Sequence, residues 1–550
     1  MKACTGIDHK RKREVATKNT KNTENTENTE GMVMKSLLHR SFLRPLCTLW
    51  QKLFFICGHG SRRLIGPLLV SVVGLAAVPA PFPADHRAMR HTVSYAEMAA
   101  FLESVARPGF ITVTEEGRST QGRKVFLVRL NRGGAKARFK VLYYAQQHGD
   151  EVAGKDAQLT LIRDLAEHPE RLPADVDLYL LPMLNPDGAE AHRRVNGAGA
   201  DLNRDHLLLA QPETQALHRV ARRIRPHVAV DSHEFGRDGA GYRAKGWAPW
   251  PIITMDAANH PLIPEYLKAA GLEAVAAAAP LERQAGHAYA RYSVGGPPPD
   301  EETRPSTVEV DDGRNGLGTL GALSFIIEAG VHHEATDPDA DLGQRVDGYR
   351  ILYRHLLGNP AWRDRIRKLA ERARREPLPP FIATNVFWAN LGGKVSTMKV
   401  VETATGRVLA VPTANAMNDL VVKGSVPTPR AYAIEAAAAA RFLPVLEAQG
   451  LRWETLAAPR RAKVERVKFL RLEASYDDLY QRYQDRQLVA RQPVTDLELP
   501  AGTLIVPLDQ DLGRRAIQIL DPCLLYGLYG YPGFRELARP GADLPVSRLY

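Results

Sequence analysis

From about residue 93 the sequence alternates short runs of β-branched and apolar residues with longer stretches of helical periodicity. The short runs predict strands at 124–130, 139–144, 176–184, 228–231 and 324–328, and the longer ones predict helices at 154–167, 212–225 and 263–279. This alternation is typical of an α/β fold. We therefore expect a mixed, mainly parallel sheet with helices on both faces and with functional loops at the carboxyl ends of its strands.

The chain has 550 residues, more than one core normally holds, so at least two folded units are expected. An Arg-rich helical segment around 358–382 gives way to Pro377-Leu378-Pro379-Pro380, which indicates a boundary. Strand-like runs at 399–402, 407–411 and 504–507 then surround an Ala-rich helix near 434–448. We predict one domain over 93–360 and a smaller mixed or β-rich C-terminal domain of unknown role over 380–550.

The N-terminal region has the composition of a targeting segment. Residues 18–30 read KNTKNTENTENTE, so residues 1–63 are expected to form a disordered, basic extension. Arg62-Arg63 then precede an apolar run at 64–78 that ends in small residues, and this pattern predicts a signal peptide at 64–80 and an exported protein, periplasmic or secreted. An uncleaved membrane anchor is the alternative, although a spanning helix needs about 20 residues.

Net charge and cysteine content bear on possible partners and on disulfide bonds. The chain carries +11, but residues 1–63 hold 13 Lys/Arg against 5 Asp/Glu, so 13 − 5 = +8 belongs to the extension and only +3 to the rest. That excess is too small to indicate a nucleic-acid partner. Of the 4 cysteines only Cys523 follows the predicted cleavage point, so no disulfide is expected within the mature chain, and its apolar neighbours predict a buried thiol.

Three residues at predicted strand ends have the chemistry of metal ligands. His148 and Glu151 form an H-x-x-E pair just after the strand at 139–144, and His233 follows the strand at 228–231. Imidazole and carboxylate groups both bind zinc, and a catalytic zinc has three protein ligands and one open position. Glu328 ends a further apolar run, so its carboxylate is expected at the same sheet edge.

These residues belong to a longer series of motifs. In chain order the series contains G-x-S-x-x-G-R at 117–123, H-x-x-E at 148–151, N-P-D-G at 185–188, R-x-N at 194–196 with D-L-N-R at 201–204, the later His233 and the strand-terminal Glu328. Over residues 93 to about 345 this order resembles the zinc metallocarboxypeptidase family, the carboxypeptidase A-like zinc peptidases. The resemblance implies an enzyme that hydrolyses C-terminal residues from peptides.

The resemblance also implies a role for each site residue. His148, Glu151 and His233 would bind one Zn²⁺ per chain, and Glu328 would act as general base toward the zinc-activated water. By the same resemblance, Arg194 would stabilise the developing oxyanion, Asn203 and Arg204 would bind the terminal carboxylate of the substrate, and Asp201 would orient His148 from behind.

The sequence departs from the family before Glu328. Members of the family place a substrate-capping Tyr shortly before this Glu, but 293–327 contains none and the nearest is Tyr292. The Gly-rich stretch 313–321 is expected to form a mobile lip over the pocket. Asp311, Asp312 and Arg314 are expected to be solvated loop charges, with selection of the terminal side chain of the substrate as the alternative.

Two other groups of residues are not assigned to the site. The trio His332-His333-Glu334 has the residue types of another metal site but lies in a polar loop and is expected to be solvated. Trp247 and Trp250 are expected to be packing residues or pocket wall rather than an independent binding motif.

Two other functions remain open. A zinc amidohydrolase of the aspartoacylase type shares H-x-x-E, D-L-N-R and a later His, but chain length, the N-P-D-G element and the signal peptide argue against it. Within peptide hydrolysis, a cell-wall peptide is an alternative substrate because the chain is expected to be exported. A catalytically silent binding protein is less consistent with the presence of all three ligands and Glu328.

Overall fold

The computed structural model describes residues 80–331, 338–477, 482–524 and 527–550. The predicted N-terminal extension, nearly all of the predicted signal peptide and the trio His332-His333-Glu334 lie outside these residues. In the part of the chain that is described, no helix is both long and apolar enough to cross a membrane.

The first half of the described chain alternates strands and helices. Its strands are β1 (Ile111–Arg118), β2 (Lys124–Leu130), β3 (Phe139–Ala145), β4 (Val176–Leu181), β5 (Val228–Gly236), β6 (Trp247–Pro249), β7 (Ile253–Ala257), β8 (Tyr289–Arg291), β9 (Val294–Gly295), β10 (Thr303–Arg304) and β11 (Leu323–Val331). Its helices are α1 (Tyr95–Val105), α2 (Ala153–Glu167), α3 (Pro186–Glu190), α4 (Pro212–Ile224), α5 (Ala240–Ala244), α6 (Glu265–Gln284), α7 (Gly313–Gly318), α8 (Pro338–Leu357) and α9 (Pro360–Arg375).

Eight of these strands form one mixed sheet in the order β1-β2-β4-β3-β5-β11-β7-β8. The central strands β4, β3, β5 and β11 run parallel, whereas β2 and β7 are antiparallel to their inner neighbours. In this register Glu328 on β11 lies beside His233 on β5 and beside Thr254 on β7. The carboxyl ends of the parallel strands therefore bring the candidate residues to one edge.

Alternate residues of the central strands enter two separate cores, as the period of a β-strand requires. On one face Val141, Tyr143 and Val230 pack with helices α1, α2, α6 and α8, and on the other Leu142 and Tyr144 pack with α4 and α7. Both faces of the central strands are buried, which explains their nearly continuous apolar sequence.

The second half is richer in strands. Its elements are β12 (Phe381–Ala389), β13 (Ser396–Glu402), β14 (Val408–Thr413), β15 (Asp419–Pro427), β16 (Ala431–Ile434), α10 (Ala439–Gln449), β17 (Glu454–Thr455), β18 (Arg460–Glu465), β19 (Val467–Asp477), β20 (Arg482–Arg491), β21 (Thr495–Leu499), β22 (Leu504–Pro507), α11 (Gly513–Leu520), α12 (Pro532–Arg535) and β23 (Val546–Leu549). The largest sheet here has the order β17-β22-β16-β23-β18-β21. Cys523 is buried with a free thiol, as predicted.

The two halves of the chain share structure. Strand β13 pairs with β6, and the apolar core of the second half includes Leu207, Leu262 and Val310 from the first. Gln449 and Arg515 both donate to the carbonyl oxygen of His206, and the Tyr531 hydroxyl donates to the carbonyl oxygen of Arg204 at 3.2 Å. The C-terminal region therefore holds the loop that carries D-L-N-R.

The α/β fold with an added β-rich region agrees with the prediction in type and order. Strands β2 and β22 have the predicted bounds at 124–130 and 504–507, whereas the strand predicted over 176–184 ends at Leu181. The last three residues of that run, through Leu184, lead into the N-P-D-G turn, and their apolar side chains are buried outside the sheet. The division into domains at 93–360 and 380–550 stays a prediction.

Candidate metal centre

His148, Glu151 and His233 meet at the carboxyl edge of the sheet. One potential ligand atom from each of the three lies within 4.8 Å of the other two. The Nδ1 atom of His148 is 2.7 Å from Glu151 Oε1, and the Nδ1 atom of His233 is 2.8 Å from Glu151 Oε2. Both imidazoles are nearly fully buried, so the cluster is a group that could hold a metal ion out of contact with bulk water.

The far side of each imidazole faces a buried carboxylate. His148 Nε2 lies 3.1 Å from Asp201 Oδ1, and His233 Nε2 lies 2.9 Å from Asp231 Oδ1. A carboxylate in this position fixes the tautomer of a metal-binding imidazole and leaves the other nitrogen free to bind the ion. With two Nδ1 atoms and one carboxylate converging, the donor set fits zinc with a fourth position for water.

Close backbone packing shapes the loop that carries His148. A Cβ atom at Gly149 would lie 2.0 Å from the carbonyl carbon of Gly188, and a Cβ at Gly188 would lie 2.4 Å from Asn185 Nδ2. Only glycine fits at such distances, so the glycines of H-G-D-E and N-P-D-G let the two turns contact each other.

Two of the motifs bind each other rather than the metal site. The buried carboxylate of Asp187 accepts hydrogen bonds from the hydroxyls of Ser119 and Thr120, at 2.7 and 3.0 Å, and from the guanidinium of Arg123 at 2.7 Å. The Asn185 side chain donates to the carbonyl oxygens of Gln147 and Arg194. The segments G-x-S-x-x-G-R and N-P-D-G therefore support the loops on which the candidate ligands lie.

The carboxylates dominate the electrostatics of the cluster. Burial lowers the pKa of His148 and of His233, but Glu151 and Asp201 for the first, and Asp231 and Glu151 for the second, outweigh it and raise both pKa values. Burial raises the pKa of Glu151, yet the two imidazoles hold it well below its usual range. A negative potential at three converging ligand atoms favours a bound cation.

Glu328 lies at the same edge and is buried. Burial raises the pKa of its carboxyl group to about 7, against the opposing effect of His233 and of a hydrogen bond from Tyr292. Tyr292, the nearest Tyr before Glu328 in the sequence, thus contacts this carboxylate directly.

Arg194 lies against the cluster from the solvent side. Its Nη1 atom is 3.1 Å from His148 Nδ1, and its guanidinium donates to Asp201 Oδ2 at 2.9 Å. Its neighbour Arg193 is exposed. Of the two arginines before Val195-Asn196, the structure therefore brings Arg194 to the site.

Asn203 and Arg204 lie in a single 3-10 turn, Leu202–Arg204, in which the Asn203 N–H donates to Asp201 Oδ1 at 2.9 Å. The buried Asn203 side chain accepts from the Gly313 N–H at 2.8 Å, and its nitrogen lies 3.2 Å from His233 Nε2. The Arg204 guanidinium is half-buried and donates to the carbonyl oxygen of Asn203 at 2.6 Å. Both residues therefore lie beside the candidate metal centre.

The expectation for the segment before β11 is wrong. Asp311, Asp312 and Arg314 are buried rather than solvated, and Gly313–Gly318 forms helix α7, buried against β5 and β11, rather than an exposed lip. Asp312 caps this helix, accepts from the Asn315 N–H, and pairs with Arg314 at 3.1 Å. The two opposite charges satisfy each other, which allows them to be buried together.

Sequence reasoning missed two residues that contact the candidate ligands. Asp231 lies two positions before His233 on the same strand, so the period of a β-strand places both side chains on one face and is the signal that identifies it. Gln147 donates to Asp231 at 2.9 Å and accepts from His206 at 2.7 Å, and nothing in its sequence context indicates this role.

A buried His-Glu-His cluster at the carboxyl edge of a mixed sheet defines an α/β protein with a candidate metal site. Residues 98–234, about a quarter of the chain, match the zinc carboxypeptidase family.

Curated carboxypeptidases are similar in sequence to a part of this chain. Carboxypeptidase 2 of Trichophyton rubrum is 32% identical over 149 residues, which cover 25% of this chain and 28% of the relative. Carboxypeptidase SOL1 of Arabidopsis thaliana is 31% identical over 135 residues, 21% of this chain and 28% of the relative. The chain thus spans less than a third of the length of these relatives.

Among solved structures, a metallo-carboxypeptidase from Burkholderia cenocepacia superposes with a TM-score of 0.39 and 19% identity, covering 48% of this chain and 70% of the other.

Proposed function

We propose that the protein is a zinc metallocarboxypeptidase that removes C-terminal residues from peptides. The observation that carries the proposal is the orientation of the two histidines, each of which presents Nδ1 to Glu151 and Nε2 to a buried carboxylate. The two Nδ1 atoms and the Glu151 carboxylate thus converge on one point, as the protein ligands of a single ion do.

One zinc ion would be held by His148 Nδ1, Glu151 and His233 Nδ1. When bound, zinc acts as a Lewis acid and lowers the pKa of a coordinated water to about 7. Asp201 and Asp231 would hold the two imidazoles in the required tautomer.

Glu328 is the proposed general base. Its carboxylate would accept the proton of the attacking water and later deliver it to the leaving amine. The adjacent register of β5 and β11 supports this role because it places Glu328 next to His233 without making it one of the three clustered ligands. Tyr292 would orient the carboxylate through its hydroxyl group.

Arg194 would donate to the oxygen on which negative charge develops, and its guanidinium is suited to this because Asp201 already holds it in place. Asn203 and Arg204 would bind the terminal carboxylate of the peptide, Arg204 through its planar guanidinium. Binding of that carboxylate restricts cleavage to the last peptide bond.

Mass spectrometry of a peptide mixture tests the proposal, with the chain from Pro81 onward, added zinc, and a parallel sample with chelator. Stepwise, chelator-sensitive loss of residues from C-termini is expected, and C-terminally amidated copies of the same peptides should remain intact. Equal cleavage of acids and amides would contradict carboxylate recognition. Turnover of small N-acyl amino acids alone would favour the amidohydrolase function instead.

A further inference from the structure

A cavity of about 740 Å³ opens beside the proposed base. Its lining includes Thr254, which pairs with Glu328 between β7 and β11, and Tyr292, whose hydroxyl group contacts the Glu328 carboxylate. Its volume falls in the range of about 300–1,000 Å³ typical of sites for small ligands. We call it the flanking cleft.

The outer wall of the flanking cleft comes from the C-terminal region. Residues Ser396, Thr397, Met398 and Lys399 of β13 line it, as do Ala416 and Asn418. Backbone hydrogen bonds hold this wall in place. Strand β13 pairs with β6. The Thr303 N–H donates to the carbonyl oxygen of Asn415 at 2.9 Å, and the Met417 N–H donates to the carbonyl oxygen of Thr303 at 2.7 Å. The cleft is therefore a built feature of the fold rather than a gap between loose loops.

The charges of the flanking cleft are unequal. Four of its lining side chains are cationic, Arg283, Arg291, Arg304 and Lys399, whereas its one carboxylate is Glu301. Arg291 is neutralised by the buried Asp256 at 2.7 Å. Within the described residues, the other three cations have no carboxylate partner. Arg304 donates to the carbonyl oxygen of Pro305 and Lys399 lies 4.4 Å from the centre of the Trp250 ring.

Aromatic side chains complete the lining. Trp250, Tyr242 and Phe235 provide flat apolar surface between the cations. A peptide lying across such rings buries its backbone and side-chain stems while its charged groups reach the cationic rim.

We propose that the flanking cleft binds the peptide segment next to the bond that is cut, and that Arg283, Arg304 and Lys399 select segments rich in Asp or Glu. The proposal rests on the proposed function for the position of that bond, and it names the substrate class, acidic peptides. The opposite charge of the ligand follows from the unequal charges of the lining.

The test measures binding apart from turnover. Zinc-supplemented Glu328→Gln protein is titrated with two fluorescein-labelled pentapeptides that differ only in carrying three Glu or three Gln before the same C-terminal Leu, and anisotropy reports the dissociation constants. We expect the Glu peptide to bind about tenfold more tightly at low salt, and the ratio to fall toward one at high salt because the cations are exposed.

Variants that replace a cleft cation with a neutral residue test whether the preference for the Glu peptide arises in the cleft. In the same background Lys399→Gln and Arg283→Gln should each reduce the Glu-to-Gln ratio by about threefold. Lys463→Gln is the matched control, since Lys463 is also exposed on a strand of the C-terminal region but lies outside the cleft, and it should leave the ratio unchanged.

The outcomes separate this proposal from the proposed function. Equal binding of the two peptides, or a preference that Lys463→Gln lowers as much as Lys399→Gln, overturns the acidic cleft even if the wild-type protein trims peptides. A preference that depends on Lys399 and Arg283, in a protein whose wild-type form cuts no peptide, upholds the cleft and overturns the peptidase.

Discussion

One buried histidine precedes strand β5 and another lies in its second half, and the two have different partners and opposite pKa shifts. His227, just before the strand, accepts a hydrogen bond from the Lys140 N–H at 2.9 Å and stacks on Phe139. Burial and then the nearby cations Arg374 and Lys140 lower its pKa to about 3. His233, near the other end, is flanked by Asp231 and Glu151, and its pKa is raised well above the ordinary value.

The contrast shows that burial alone does not identify a candidate metal ligand. Both rings are buried, but cations and a backbone donor keep one neutral, whereas carboxylates on both sides prepare the other for a cation. Cavity size is also a poor guide, since the larger cavity, about 1470 Å³, lies at the His227 end and the 740 Å³ flanking cleft adjoins the proposed base.

The largest effect is expected when the histidine of the candidate metal site is replaced and His227 is left intact. His233→Ala should lose stoichiometric zinc and with it all measurable peptidase activity, because a catalytic zinc is held by three protein ligands and only two would remain. His227→Asn, which keeps an acceptor for the Lys140 N–H, should retain one zinc per chain. The zinc content per chain of both variants, measured after dialysis, tests this prediction. One retained zinc in His233→Ala would remove that residue from the ligand set.

Glu328→Gln separates metal binding from chemistry. The amide cannot accept the proton of the water, so kcat should fall by about 10³-fold while the zinc content stays at that of the wild type. Peptide hydrolysis followed by mass spectrometry gives the rate. A variant that keeps near-normal kcat would assign the base elsewhere.

Asp231→Asn replaces the carboxylate that faces His233 Nε2 with a neutral amide and leaves the three proposed ligands unchanged. Zinc affinity should fall by about 10–100-fold, because the imidazole loses the partner that sets its tautomer. Competition with a fluorescent chelator measures the change, and Asp177→Asn, a buried carboxylate on β4 that pairs with Arg129, serves as the control. An unaltered affinity in Asp231→Asn would show that Asp231 only packs against the ring.

The smallest effect concerns stability at the His227 end. With a folded pKa of about 3 against about 6.5 in the unfolded chain, His227 binds fewer protons when folded, so protonation favours unfolding between these values. Its contribution to the free energy of unfolding is therefore lost as pH falls from about 6.5 toward 3, by up to about 1.4 kcal/mol per pH unit. Urea unfolding at pH 7, 6 and 5 should show a shallower loss in His227→Asn. Identical slopes would contradict the neutral state of His227.

Local sequence predicted five of the eight strands of the main sheet, but not β1, β7 or β8. It also predicted the convergence of His148, Glu151 and His233, because the order of strand and helix places their loops at one edge. It did not predict the burial of Asp311, Asp312 and Arg314. Charges in a Gly-rich stretch normally lie in solvent, and here neighbouring Val310 packs into the core of the C-terminal region, more than 70 residues beyond it in the chain. The role of Tyr292 at Glu328 also depended on the pairing of β7 with β11. The catalytic and binding roles themselves stay predictions.

The contacts from Gln449, Arg515 and Tyr531 to residues 204–206 have a consequence for how the chain is made. These partners are separated by 243, 309 and 327 positions, so the ribosome completes all three proposed zinc ligands long before it synthesises the residues that hold the D-L-N-R loop. A nascent chain could bind metal yet lack an ordered grip on a peptide terminus. Peptide trimming would then begin only once translation had passed Tyr531.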